Sequence, residues 1–146
     1  MKHRFTLSRH ETNDGSHWDL FLEALFSLDA LDKQNEKLWT WQITDIEAVL
    51  QVLARQKQNF LVTAVRAADH RNIYLDYEGT ISGNRGAVTI FATGSYGVAE
   101  NLRRQFSIET ESRQLSGRWS FLLNDMVENG AEIWTIRFSG CRAYEH

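Results

Sequence analysis

His10, His17 and Asp19 are the residues of this chain whose types and spacing best suit chemistry. His17 and Asp19 lie two apart, and on a strand such residues project from the same face. His10 ends the preceding strand-like run, and the stretch from Glu11 to Ser16 can fold it back beside them. Two imidazoles and one carboxylate suit a first-row divalent cation such as Mn²⁺ or Zn²⁺ and leave coordination positions open. A cation so held acts as a Lewis acid toward a phosphoryl oxygen and acidifies a bound water. The plain alternative is that His10 closes a strand and His17 hydrogen-bonds within a turn.

A second group lies downstream, in Asp69-His70 and the run Tyr74-Leu75-Asp76-Tyr77-Glu78-Gly79. A metal-assisted phosphoester site is the reading that uses both groups. Arg66, Arg71 and Arg85 flank the second group and offer local positive charge. Arg103, Arg104, Arg113 and Arg118 read as solvated surface, and Trp18 reads as core rather than as a platform for a base.

These residues need a frame of strands. Segment 4–9 alternates polar and apolar residues. In segment 17–28, Trp18, Leu20, Leu22 and Ala24 fall on one face, with Asp19, Phe21, Glu23 and Leu25 on the other. That pattern suits a strand covered on both sides, as in a small barrel. Asp29 to Glu36 reads as a loop and 38–43 as a strand. Thr44-Asp45-Ile46-Glu47 matches a capping box, and Ile46, Val49, Leu50 and Leu53 recur at helical spacing, which predicts a helix to about Gln56. Strand-like segments follow at 59–66, 86–93, 104–110, 115–123 and 131–138, with glycine-containing breaks at 83–86, 94–97, 116–117 and 129–130. Many strands and short connections predict a mainly β fold, a compact antiparallel β-barrel with one or two flanking helices.

With 146 residues, the chain reads as a single domain over 1–146 with room for a sizeable core. A net charge of −3 argues against coating nucleic acid by bulk electrostatics, while leaving room for one local basic face. No run approaches the roughly 18 apolar residues of a membrane-spanning helix. Cys141 is the one cysteine, so no internal disulfide can form, and a cytoplasmic location is expected.

The ordered set of motifs resembles the 3′-phosphoesterase domain of bacterial DNA ligase D and its stand-alone relatives. That family's pattern is a strand ending in His, a short loop, and His-aromatic-Asp-x-x-Leu-Glu; here His10 precedes His17-Trp18-Asp19-Leu20-Phe21-Leu22-Glu23. A Leu-x-Ser/Thr-Trp strand is matched by Leu38-Trp39-Thr40-Trp41. Asp-His, an aromatic four residues later and Glu-Gly after four more are matched by Asp69-His70, Tyr74 and Glu78-Gly79. Similar glycine-rich and Trp-containing pieces run on to Trp134-Thr135-Ile136-Arg137, so the likeness spans nearly the whole chain.

The resemblance implies a β-barrel with a Mn²⁺-dependent site that removes a 3′-terminal ribonucleoside and then the remaining 3′-phosphate. Zn²⁺ or another divalent cation is a possible substitute. It assigns the metal to His10, His17 and Asp19, and contact with the scissile phosphate to His70, as charge stabiliser or general acid. It gives hydroxyl contacts with phosphate oxygens to Thr40 and Tyr74. It also implies nucleic acid 3′ ends as substrate, DNA or RNA-tailed DNA, and a DNA ligase or polymerase as a partner protein. The chain differs from the family in three cationic or acidic positions: Phe21 stands where the family has Arg, Asp45 lies near the place of a Lys, and Ala68 replaces an acid. Arg66, Arg71 and Arg85 are the candidates to replace the lost phosphate clamp, with Arg85, in the turn Ser82-Gly83-Asn84-Arg85-Gly86, the preferred one. The competing readings are a non-catalytic metal- or phosphate-binding module of a repair assembly and a barrel whose histidines are structural.

Overall fold

Alternating side chains on two sides of a strand fix most of this architecture. The structure is a computed structural model that describes residues 3–23, 37–102, 104–124 and 130–140. Nine strands form one antiparallel sheet: β1 (His3–Thr12), β2 (Gly15–Glu23), β3 (Lys37–Ile43), β4 (Asn59–Arg71), β5 (Gly79–Thr80), β6 (Ala87–Leu102), β7 (Gln105–Ser112), β8 (Gly117–Leu123) and β9 (Ile133–Gly140). Their order is β1-β2-β3-β4-β9-β8-β7-β6-β5, and β6 also pairs with β1, so the sheet closes on itself as a barrel-like ring. The fold is mainly β, as expected. Among the described residues there is one α-helix, α1 (Ile46–Leu53), and none long and apolar enough to cross a membrane. The end of the strand expected over 17–28, the stretch Asp29 to Glu36 and Cys141 lie outside the described residues.

The inward faces of the strands make the main core. Phe5 and Leu7 of β1, Trp18, Leu20 and Leu22 of β2, Trp41 and Ile43 of β3, and Trp119 and Phe121 of β8 are all buried in it. Each such side chain contributes roughly 1.5–3 kcal/mol by leaving water. Val49 and Val52 seat α1 against the same core.

The outward faces of β2 and β3 carry a second, smaller cluster of Phe21, Leu38 and Leu75, with Tyr74 packed on it. It exists because the 3₁₀ turn Asn72–Leu75 and the chain after it lie across the outside of the sheet. Thr6 Oγ1 donates to the Leu75 carbonyl at 2.8 Å. The Arg4 guanidinium donates to both Asp76 oxygens, at 2.6 and 3.1 Å, and that hydrogen-bonded cation holds the Asp76 carboxyl below the usual carboxylate range. Glu78 Oε1 accepts from the Ile90 backbone N–H at 2.9 Å. Both faces of β2 are therefore covered, as its double pattern of apolar residues requires.

Several boundaries depart from expectation. The helix is capped by Asp45, which accepts from the Ala48 N–H at 3.0 Å, and not by Thr44. It stops at Leu53 rather than near Gln56, because Arg55 turns left-handed (φ 61°) and the Gln56 N–H bonds the Gln51 carbonyl, a Schellman closure. The break expected at 94–97 is absent: β6 runs through it, leaving β1 and taking up β7. Gly94 serves close approach there, since a Cβ would sit 2.1 Å from the Glu111 carbonyl oxygen.

Candidate functional site

β1 and β2 form a tight hairpin that is shorter-looped than the sequence suggests. Pairing continues to Thr12 opposite Gly15, so the connection is only Asn13-Asp14. This register sets His10 directly opposite His17 and Ser8 directly opposite Asp19. All four project outward, because Phe5, Leu7, Trp18 and Leu20 occupy the inward positions.

The two imidazoles meet edge to face with centroids 5.0 Å apart. His17 Nε2 lies 3.2 Å from Asp19 Oδ1, and His10 Nδ1 lies 3.8 Å from Asp19 Oδ2. One ligand atom from each of the three residues falls within 4.8 Å of the others. His10 Nε2 is 2.7 Å from the Arg85 carbonyl oxygen. A carbonyl can only accept, so Nε2 carries a proton and Nδ1 is the ring nitrogen turned toward Asp19.

The donor set passes a physical test for holding a cation. The Asp19 side chain is only 3 % exposed, and the two imidazoles are its ion-pair partners among the described residues. His17 Nε2 and Asp19 Oδ1 are buried and make no hydrogen bond, despite their proximity. Buried polar atoms without partners are rare and costly. Two of them facing each other, beside the Nδ1 of His10, fit a divalent ion of the kind bound by His and Asp.

Next to this cluster lies a cavity of about 290 Å³. His10 and Asp19 line one part of it, and His70, Arg71, Tyr74 and Arg85 line others. His70 arrives on β4, which runs on past the expected end at Arg66 and carries a bulge in its pairing with β3 between Leu38 and Thr40. Bulges re-aim side chains, and this one lies at His70. His70 Nδ1 is 3.0 Å from the Ala68 carbonyl and 3.1 Å from Thr40 Oγ1. The carbonyl places the proton on Nδ1, which leaves Nε2 for a ligand.

Thr40 does not sit at the cavity wall. It is fully buried, and its hydroxyl donates to the Leu38 carbonyl at 3.1 Å while contacting His70. Its connection to any phosphate runs through the imidazole. Tyr74 does line the cavity, edge to face with His70 at 5.6 Å. Phe21 is buried between them, 5.2 Å from the His70 ring and 6.1 Å from that of Tyr74.

The arginines separate into different roles. Arg66 is turned away, over the Trp41 ring at 4.9 Å and paired with Asp69 at 3.1 Å. Arg85 lines the cavity, with its Nε donating to the Ser82 carbonyl at 2.7 Å, while its own carbonyl orients His10. Arg71 lines the cavity as an exposed residue. Arg71, one of the three arginines expected as a clamp replacement, lies at the cavity with the preferred Arg85, whereas Arg66 does not. Glu78 of the downstream motif fastens the loop to β6, its side chain accepting from the Ile90 N–H, and does not line the cavity.

A larger groove of about 500 Å³ lies elsewhere, between the end of α1 and the β7–β8 turn. Arg55, Lys57, Arg113 and Leu115 line it without any imidazole, so the ligating chemistry belongs to the smaller cavity. No protein-family model matches the chain, and no curated protein matches it.

Proposed function

We propose that this chain is a divalent-cation-dependent phosphoesterase acting on the 3′ ends of nucleic acid, similar in chemistry to the 3′-phosphoesterase domains of bacterial DNA ligase D. The observation that carries the reading is the clustering of His10, His17 and Asp19, two of whose ligand atoms make no hydrogen bond, beside a cavity that His10 and Asp19 line together with His70. His10, His17 and Asp19 would hold the ion, with Mn²⁺ the proposed metal. When bound, it supplies Lewis acidity toward a phosphoryl oxygen.

The chain's own groups account for the rest. Arg71 and Arg85 pair with non-bridging phosphate oxygens, and the Tyr74 hydroxyl adds a neutral donor. Such fixed donors stabilise charge that develops at phosphorus. As water attacks phosphorus, the P–O3′ bond breaks, and imidazolium His70 gives its Nε2 proton to the departing 3′ oxygen. Ala68 O and Thr40 keep the ring aimed by holding Nδ1–H. Phosphate and a free 3′-OH result. A DNA ligase or polymerase is the proposed partner, since either uses that 3′-OH, and the cytoplasm is the proposed location.

A specific observation favours a second reading, a binding module that holds the metal or phosphate without turnover. Phe21, in the family's arginine position, is buried and supplies no charge. A single assay separates the two. With Mn²⁺, a 3′-phosphorylated oligonucleotide is expected to release phosphate, and His17→Ala or His70→Ala to lower the rate at least ~100-fold, the scale of a lost acid–base group. Binding of Mn²⁺ without release across a range of divalent metals supports the module instead.

A further inference from the structure

Five buried side-chain polar atoms make no hydrogen bond among the described residues, and three of them cluster. They are Ser8 Oγ, His17 Nε2 and Asp19 Oδ1. Ser8 is two residues before His10 on β1 and directly opposite Asp19 on β2, so all three atoms belong to the same outward face as His10. Directly opposed residues of an antiparallel pair have Cβ atoms only about 4.5–5.5 Å apart. The Ser8 side chain is therefore an immediate neighbour of the Asp19 carboxylate.

Packing alone does not explain the hydroxyl. Ser8 is 1 % exposed, and an alanine would fill the same space without desolvating an O–H group. A buried hydroxyl with no partner costs about 1–3 kcal/mol. Its strand neighbours cannot relieve it: Thr6 Oγ1 is taken by the Leu75 carbonyl, and the Ile90 N–H opposite Ser8 is taken by Glu78. The other atoms on this face without a hydrogen bond are His17 Nε2 and Asp19 Oδ1, which face each other at 3.2 Å. Three atoms without a hydrogen bond on one face, plus the Nδ1 of His10, suit a single positive ion.

We propose that Ser8 is a fourth donor to this cation site and that its oxygen tunes the site toward Mn²⁺ over Zn²⁺. The inference rests on the reading of His10, His17 and Asp19 as a metal site. Those three already meet the need of Zn²⁺, which is satisfied by three protein ligands and one further position. A neutral oxygen adds little for that ion. Mn²⁺ prefers more ligands and harder ones, and a set of two nitrogens and two oxygens suits it better.

The test is a calorimetric titration of the whole chain with Mn²⁺ and Zn²⁺, with Mn²⁺ electron paramagnetic resonance as the second readout. Ser8→Ala is expected to weaken Mn²⁺ binding about tenfold, the lower end for losing a group that supports a metal site, and to change the Mn²⁺ spectrum. Its Zn²⁺ affinity is expected to stay within about twofold, since Zn²⁺ keeps its three ligands. The metal-free variant should melt no lower than the parent chain, because the hydroxyl has no partner to lose. Ser8→Cys provides the converse, with a soft thiol expected to reverse the preference to Zn²⁺. Parental Mn²⁺ affinity and spectrum in both variants would overturn the role of Ser8 and leave the three-residue site standing. A parent chain that binds neither metal overturns both readings.

Discussion

Thr40 shows how one hydroxyl can matter without touching a ligand. Its Oγ1 contacts His70 Nδ1 and donates to the Leu38 carbonyl, from a position with no exposure. Thr40→Val removes that hydroxyl while keeping the shape, so the Leu38 carbonyl loses its donor and the imidazole keeps only the Ala68 carbonyl. The expected result is a loss of about 1–2 kcal/mol in urea unfolding, the usual cost of a buried hydrogen bond. Turnover should fall about tenfold with KM little changed, since the ring is less well aimed in the transition state. Equal losses in turnover and KM would indicate that Thr40 touches substrate after all. The residue types of the site, His10, His17, Asp19 and His70, could be read from the sequence through the ordered set of motifs they belong to, since two histidines near an acid are by themselves common. Thr40's indirect role could not, because it depends on burial, and neither could Ser8, whose significance lies in lacking a partner. Arg85 was legible as a cation, but the part of it that reaches His10 is its backbone carbonyl.

At the scale of elements, the segment from the 3₁₀ turn to β6 decides whether the site is assembled. Gly86 is its tightest point: φ is +90°, and a Cβ would lie 1.9 Å from the Glu11 carbonyl oxygen. Gly86→Ala is expected to cost about 1–3 kcal/mol or more, from a left-handed conformation forced on a residue with a Cβ together with a backbone clash. It should also displace the Arg85 carbonyl from His10 and weaken Mn²⁺ binding. Denaturant melts and metal titration check the two effects, and a variant that is destabilised yet binds metal normally would show that the carbonyl does not set the tautomer. The strands themselves were largely legible from alternation. The misjudged boundaries share a cause: tertiary pairing overrode local signals. β4 extends through Asp69-His70 because β3 pairs with it there, and β6 crosses its glycines because it has a partner on each stretch.

For the whole molecule, closure of the ring depends on β1 pairing with both β2 and β6. Tyr96 secures that seam. It is buried, its hydroxyl donates to the Glu23 carbonyl, and its ring lies 5.6 Å from that of His3. Burial, reinforced by the Glu23 carboxylate, pushes the phenol's pKa well above its ordinary value. A raised pKa means that the folded state keeps the proton longer than the unfolded chain does. Stability from this group is therefore complete below about pH 10 and declines above it, by about 1.4 kcal/mol per pH unit, until the folded phenol ionises. Urea unfolding between pH 9 and pH 11 should show this slope reduced in Tyr96→Phe; an unchanged slope would mean that Tyr96 does not carry it.

The same seam has a consequence for the order of events in synthesis. β1 cannot take up its second partner until β6 has emerged, some ninety residues downstream, as in His3 opposite Tyr96. The hairpin that bears His10 and His17 can form early, since its pairing is local. Its His10 ring is not oriented until Arg85 has emerged and the chain has folded back over the sheet. Contacts so distant in sequence form slowly. A nascent chain thus carries His10, His17 and Asp19 long before they acquire their mature geometry, which waits on the return of the chain at β6.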